Sequence, residues 1–115
     1  MTQTTIVNIP TDRIVDWDSF HRVFQDVLGF PDFYGRNMDA WIDCMTYVDD
    51  PDAGMSSITV AKGEVLILRI DHADELQQRC PEQYRALLEC AAIVNHRRNK
   101  PGELPVLALM LGGWF

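Results

Sequence analysis

In the segment before residue 30, apolar residues recur with the spacing of a helix. From Phe20 to Leu28 they fall at i, i+3, i+4, i+7 and i+8, which is the stripe of an amphipathic helix. Asp16 or Asp18 is placed to cap the start of this helix, and Gly29 is placed to end it. The pattern therefore predicts a first helix that packs on a core along one side.

A second, shorter helix is predicted from the N-cap Asn37 to about Tyr47. The preceding residues FYGRN are typical of a turn, since Gly35 tolerates backbone angles closed to other residues. At 100° per residue, one side of this helix is apolar and is formed by Met38, Trp41, Ile42 and Met45. Asp39 and Asp43 lie together on its flank.

Three further apolar segments have the length and composition of strands. They are TTIVNIPT at residues 4–11, EVLILRI at 64–70 and LPVLALML at 104–111. The continuous apolar run at 64–70 is expected for a central strand that is covered on both faces. Strands separated by helices favour a small parallel sheet, and hence the α/β class.

The remaining segments complete this alternation within a single domain that spans residues 1–115. Residues 71–80 can form a short helix, and a longer one is predicted from Pro81 to the basic end at residues 96–98, with Gly102 ending that region. The polar stretch 49–63 reads as a long loop, whose SITVA part can be extended and which is long enough to carry function.

The charge balance limits the kinds of partner. Seventeen acidic and ten basic residues give a formal net charge of −7, which opposes direct binding of nucleic acid and of anionic membranes and favours cationic partners. No apolar run approaches the ~20 residues of a membrane span. The N-terminal residues lack the basic and apolar regions of a secretory signal, so a cytoplasmic location is expected.

Signs of a familiar enzyme or of a cofactor site are lacking. Cys44, Cys80 and Cys90 show no metal-binding spacing, and free buried thiols are expected. His21 and His72 occupy ordinary helix positions, and neither a Walker loop nor the motifs GxSxG, GxGxxG or HExxH occur in the sequence. We therefore expect neither enzymatic activity nor a bound cofactor.

The two acids of the second helix need an explanation, because like charges four residues apart repel each other by a few tenths of a kcal/mol. Asp39 lies in the first turn, where the helix dipole stabilises it. Asp43 lies beyond that turn and has no basic neighbour one turn away on its own helix. The pair is consistent with solvated carboxylates, with a surface for a cationic protein, or with a metal site.

The metal interpretation draws on the nearby acids Asp49, Asp50 and Asp52, since hard cations prefer several oxygen ligands. It would make the chain a metal-dependent phosphodiesterase. The spacing, however, lacks the pattern of a calcium loop. A third possibility is an adaptor whose acidic helix binds a basic protein that is not a toxin.

One segment resembles the signature of the barstar family, whose members are intracellular inhibitors of secreted bacterial ribonucleases. The segment is LGFPDFYGRNMDAWIDCMTYV, and the resemblance is specific over roughly residues 18–48. The matching positions are Pro31, Asp32, Phe33, Tyr34, Gly35, Asn37, Met38, Asp39, Ala40, Asp43 and Cys44. Beyond Val48 only the order of elements agrees.

The resemblance implies a three-stranded parallel sheet covered by about four helices, and an immunity protein of a toxin–antitoxin pair. Asp39 and Asp43 would then fill the active site of a cationic nuclease toxin in place of substrate phosphates. The implied partner-binding residues are Phe33, Tyr34, Gly35, Asn37, Met38, Asp39, Ile42 and Asp43. The family also uses an acid on the last helix, where Glu89 is the nearest glutamate.

Several positions depart from the family pattern. Phe33 replaces a tyrosine, Ile42 stands where the namesake has a tryptophan, and Arg36 adds a positive charge at the rim. The 49–63 loop and the last helix are also longer. Because of these differences, the sequence is also compatible with an immunity protein for some other toxin domain.

Overall fold

The computed structural model describes residues 5–98 and 105–113. Strands and helices follow one another in the order predicted from the hydrophobic pattern. The elements are β1 (Thr5–Asn8), α1 (Trp17–Leu28), α2 (Met38–Thr46), β2 (Leu66–Ile70), α3 (Ala73–Arg79), α4 (Pro81–Arg97) and β3 (Leu107–Leu111). Single 3₁₀ turns form at Thr11–Arg13 and Pro51–Ala53. The predictions for residue 4, Gly102 and residue 104 lie outside the described residues.

The three strands form one parallel sheet in the order β1-β2-β3. Val7 pairs with Leu68, and Leu68 pairs in turn with Leu109. Parallel neighbours require long crossover connections, and the helix pairs α1–α2 and α3–α4 supply them. The α/β class and the central place of the 64–70 segment are thus confirmed.

The expectation that β2 is covered on both faces is wrong. Leu66, Leu68 and Ile70 are fully buried, whereas Arg69, on the opposite face, is exposed. Met110, which pairs with Arg69 in the register, is 44% exposed. Side chains alternate across a strand, so an apolar run does not by itself reveal that only one face is buried beneath helices.

The starts of α1 and α2 are fixed by side-chain caps. Of the two candidates for α1, Asp16 is the cap, and it forms a reciprocal capping box with Ser19. Asn37 caps α2, where its Oδ1 accepts a hydrogen bond of 2.8 Å from the Ala40 backbone N–H. Gly29 ends α1 with φ of 67°, a left-handed conformation that favours glycine. The cap at Asn37 sets where α2 begins and hence where its acids point.

The long loop is attached to the body of the domain rather than extending from it. The Ser57 backbone N–H donates to the Leu28 carbonyl at 2.8 Å, and that of Val60 donates to the Val48 carbonyl at 2.9 Å. Val60 is buried. Part of the loop therefore closes over the ends of α1 and α2.

The three cysteines are free and buried, as expected from their spacing. Burial raises the pKa of Cys44 to about 11, and the Asp43 charge adds to the effect, so this thiol stays protonated and unreactive at neutral pH. Within residues 5–98 and 105–113, no helix is both long enough and apolar enough to cross a membrane.

Candidate functional site

The two acids lie on the exposed side of α2. Asp39 and Asp43 are exposed, while Trp41 and Met45, on the other side of the helix, are fully buried. Helix α2 packs alongside α4. Burial raises the pKa of the Cys90 thiol on α4, and the charges of Glu89 and Asp39 raise it further.

Asp43 has an ion-pair partner that its own helix could not provide. The Arg97 guanidinium donates from Nη1 to Oδ1 of Asp43 at 2.8 Å. Arg97 lies in the last turn of α4, 54 residues away in sequence. The two side chains are 49% and 55% exposed, so the pair forms in contact with water. Helix α4 therefore supplies the basic partner that Asp43 lacks on its own helix.

Asp39 differs from Asp43 in this respect. Among the described residues, it has no ion-pair partner. Its position in the first turn of α2 places it near the positive end of the helix dipole. Within residues 5–98 and 105–113, the free protein thus presents one carboxylate without an ion-pair partner and a second that is already paired.

The segment before α2 divides between exposed and buried aromatic rings. Phe33 is 75% exposed, whereas Tyr34 is only 6% exposed and packs against Phe30. The Tyr34 hydroxyl shares a hydrogen bond of 2.6 Å with Nδ1 of His21 on α1. Burial raises the pKa of Tyr34, so the hydroxyl stays protonated. Tyr34 therefore anchors the turn, and Phe33 projects from it.

Six of the eight predicted partner-binding residues lie at the start and on the exposed side of α2, and the other two are buried. We call the accessible ones the acidic face, which comprises Phe33, Gly35, Asn37, Met38, Asp39 and Asp43. Tyr34 and Ile42 are each 6% exposed and belong to the hydrophobic core. A direct contact of their side chains with a partner is not supported, since the turn and α2 need both of them for packing.

Arg36 lies at the rim of the acidic face in a left-handed conformation with φ of 52°. Its guanidinium lies 3.7 Å from the Asp18 carboxylate, so its charge is partly compensated by α1. Between α1 and the start of α2 there is an open pocket of about 280 Å³, lined by Trp17, His21, Arg36, Asn37 and Met38. The positive charge predicted at the rim is thus present and partnered.

The family resemblance led us to expect an acid of the last helix in this region, but the pairing of Arg97 on α4 with Asp43 was missed. Ile93 and Arg97 lie one turn apart on that helix, and Ile93 is 43% exposed. Tyr47, at the end of α2, is 44% exposed. Helical spacing placed Ile93 and Arg97 on one side of α4. That Arg97 meets Asp43 depends on the packing of the two helices and had no signal in the sequence.

One of the acids that suggested a metal site, Asp49, forms an ion pair within the fold. The Asp49 side chain is 5% exposed and forms a buried ion pair with Arg98, with Nη1 2.7 Å from Oδ1. Across the part of the chain that the structure describes, no three His, Cys, Asp or Glu side chains are grouped so as to hold a metal ion. Asp49 is therefore a structural residue of the α2–α4 contact.

We expect stability to fall in mild acid because of His21. Burial lowers the pKa of His21, with a further lowering from Arg36 and an opposing effect of Asp18. The unfolded chain then takes up the proton first, so the free energy of unfolding decreases as pH falls below about 6.5. Urea unfolding at pH 7.5 and 5.5 measures this loss. The loss should be smaller in His21→Gln, and an equal loss in both proteins would contradict the assignment.

The fold and site define an α/β domain that exposes an acidic helix beside a second, partly basic one. The sequence model of the family described as Barstar (barnase inhibitor) matches residues 4–108. Since this match covers most of the chain, the protein belongs to the barstar family.

A shorter similarity links the chain to a curated bacterial protein. It is 56% identical over 32 residues to the protein named "Putative ribonuclease inhibitor YrdF" of Bacillus subtilis (strain 168). The matched segment covers 27% of this chain and 35% of that relative. The chain thus matches about a third of the length of the relative.

Proposed function

We propose that this protein inhibits a cytotoxic bacterial ribonuclease by placing the acidic face in the active site of the enzyme. The observation that supports this most is the pair of exposed carboxylates, Asp39 and Asp43, on one side of α2. Membership of a family described as barnase inhibitors supports the same role. The protein would act in the cytoplasm and protect the cell that makes the toxin.

The chemistry of the target explains why carboxylates suit this task. A ribonuclease holds a polyanion, so its active site presents Arg, Lys and His side chains. Carboxylates can occupy the positions of substrate phosphates and accept charge-assisted hydrogen bonds from those cations. Pairing with Arg97 already lessens the repulsion between Asp43 and Asp39 in the free inhibitor, and cations of the nuclease would relieve it further. Phe33, exposed beside them, supplies apolar contact area of the kind that interfaces favour.

Long-range charge should make the encounter fast. The net charge of −7 attracts a cationic nuclease, and such steering raises association towards ~10⁸ M⁻¹s⁻¹ or more at low salt. We expect the association rate constant to fall steeply between 20 mM and 500 mM salt, since the Debye length shrinks over that range. Stopped-flow fluorescence measures it. A rate constant independent of salt would argue against electrostatic steering.

The direct test is inhibition of RNA hydrolysis. Purified protein is titrated into barnase, the ribonuclease named in the description of the family, and into a panel of other small cationic bacterial ribonucleases. We expect cleavage to be lost at an equimolar ratio for at least one of these enzymes. Partners captured from cells and identified by mass would extend the panel. Failure to inhibit any ribonuclease, including those captured, would contradict the proposed function.

The other candidate functions receive less support from the geometry. Asp49, one of the candidate ligands of a metal-dependent phosphodiesterase, is instead paired with Arg98. Phosphodiester hydrolysis by the protein alone in millimolar Mg²⁺ would nevertheless favour that function. An adaptor for a basic protein that is not a toxin would be indicated if capture returned such a protein and no nuclease.

A further inference from the structure

We infer that Arg97 is an internal counter-ion which competes with the nuclease for Asp43 and thereby limits which nucleases the protein inhibits tightly. This inference rests on the proposed function. Its basis is the ion pair of 2.8 Å between Arg97 on α4 and Asp43 on the acidic face. A nuclease cation aimed at Asp43 meets a carboxylate that the inhibitor already neutralises.

The exposure of the pair determines how it can respond to a partner. Arg97 is 49% exposed, and within the described residues its guanidinium has no other ion-pair or hydrogen-bond partner than Asp43. A long and flexible arginine side chain at such a position can turn away into water. The adjacent Arg98 cannot do so as easily, because it also donates to the Thr46 carbonyl at 2.9 Å and pairs with the buried Asp49.

Typical magnitudes favour displacement of Arg97 over retention of the pair. An exposed ion pair changes an equilibrium by only about 1.4- to 5-fold. A close charge pair buried in a protein–protein interface changes it by more than tenfold. A nuclease cation that excludes water from Asp43 therefore replaces Arg97 at a small cost.

Retention of Arg97 would place two cations beside one carboxylate in a site that loses water on binding. Repulsion between like charges strengthens as the effective dielectric constant falls. Arg97 also lowers the negative potential that the acidic face presents during encounter. Both effects act in the same direction, so removal of the guanidinium should speed association and tighten the complex.

The test compares two variants that remove the same charge from the same helix. Arg97→Gln removes the counter-ion, whereas Arg85→Gln removes an exposed arginine of α4 that forms no ion pair among the described residues. Association and dissociation rate constants are measured against barnase, or against the ribonuclease that the parent protein inhibits best. We expect Arg97→Gln to lower the dissociation constant of the complex by about 2- to 5-fold. The change in the dissociation constant caused by Arg85→Gln should be less than half as large.

A double variant identifies the route of the effect. In Asp43→Asn protein, Arg97→Gln should give no more tightening than Arg85→Gln, because no carboxylate remains for Arg97 to neutralise. If Arg97→Gln weakened the complex, Arg97 would be a positioning residue for Asp43 and the inference would be overturned. Equal effects of the two single variants would overturn it too, with inhibition by the parent intact. Lack of inhibition by the parent itself would contradict the proposed function and the inference together.

Discussion

Asp39→Ala is expected to weaken inhibition of the target ribonuclease by about 30-fold or more, and Asp43→Ala by a smaller factor. Truncation of one member of a buried, hydrogen-bonded charge pair costs about 2–5 kcal/mol, a range informed by the complex of barnase with barstar, the namesake of this family. Asp39 has no ion-pair partner among the described residues and so loses its full interaction with the nuclease. Asp43 already shares its charge with Arg97.

The measurement is the inhibition constant in an RNA hydrolysis assay, together with the free energy of unfolding in urea. Asp52→Ala is the matched control, since it removes the same charge from an exposed position in the loop after α2. It should affect the association rate only weakly. Asp39→Ala should lower the free energy of unfolding by no more than about 1 kcal/mol, through its lost interaction with the helix dipole. Parent-like inhibition by Asp39→Ala would remove this acid from the proposed site.

The fold could be predicted from the sequence because its signals are local. Helical spacing with the caps Asp16 and Asn37 fixed the starts of two helices, and the apolar runs fixed the strands. How many faces of the sheet the helices cover is not signalled by local sequence. Between Leu66 and Ile70 every residue except Arg69 is apolar. Alternate side chains of this strand nevertheless point to a face of the sheet that the helices leave partly open.

The candidate site was predictable only in part, for a related reason. The spacing of Asp39 and Asp43 places them on one side of α2 wherever that helix packs. The burial of Ile42 and of Tyr34 depends on which neighbours cover them, and so does the pairing of Asp43 with Arg97. These are contacts between elements distant in sequence, and no periodicity within α2 or α4 reveals them.

Among substitutions outside the acidic face, Arg98→Gln should reduce stability most clearly through electrostatics. It would leave the Asp49 carboxylate, 5% exposed, without the guanidinium that pairs with both of its oxygens. It would also remove the hydrogen bond that Arg98 donates to the Thr46 carbonyl. Removal of one partner of a buried ion pair costs about 3–5 kcal/mol, and the partial exposure of Arg98 places this case near the lower limit.

Arg97→Gln is the matched control, because it removes the adjacent arginine of an exposed pair, which contributes about 1 kcal/mol or less. A loss of about 3 kcal/mol in a domain of this size lowers Tm by roughly 10 °C. Thermal and urea unfolding should therefore separate the two variants by a wide margin. The double variant that combines Asp49→Asn with Arg98→Gln should recover part of the stability lost in Arg98→Gln, because it contains neither charge of the buried pair. Equal stabilities of Arg97→Gln and Arg98→Gln would mean that the contact between α2 and α4 depends on apolar packing and gains nothing from the buried pair.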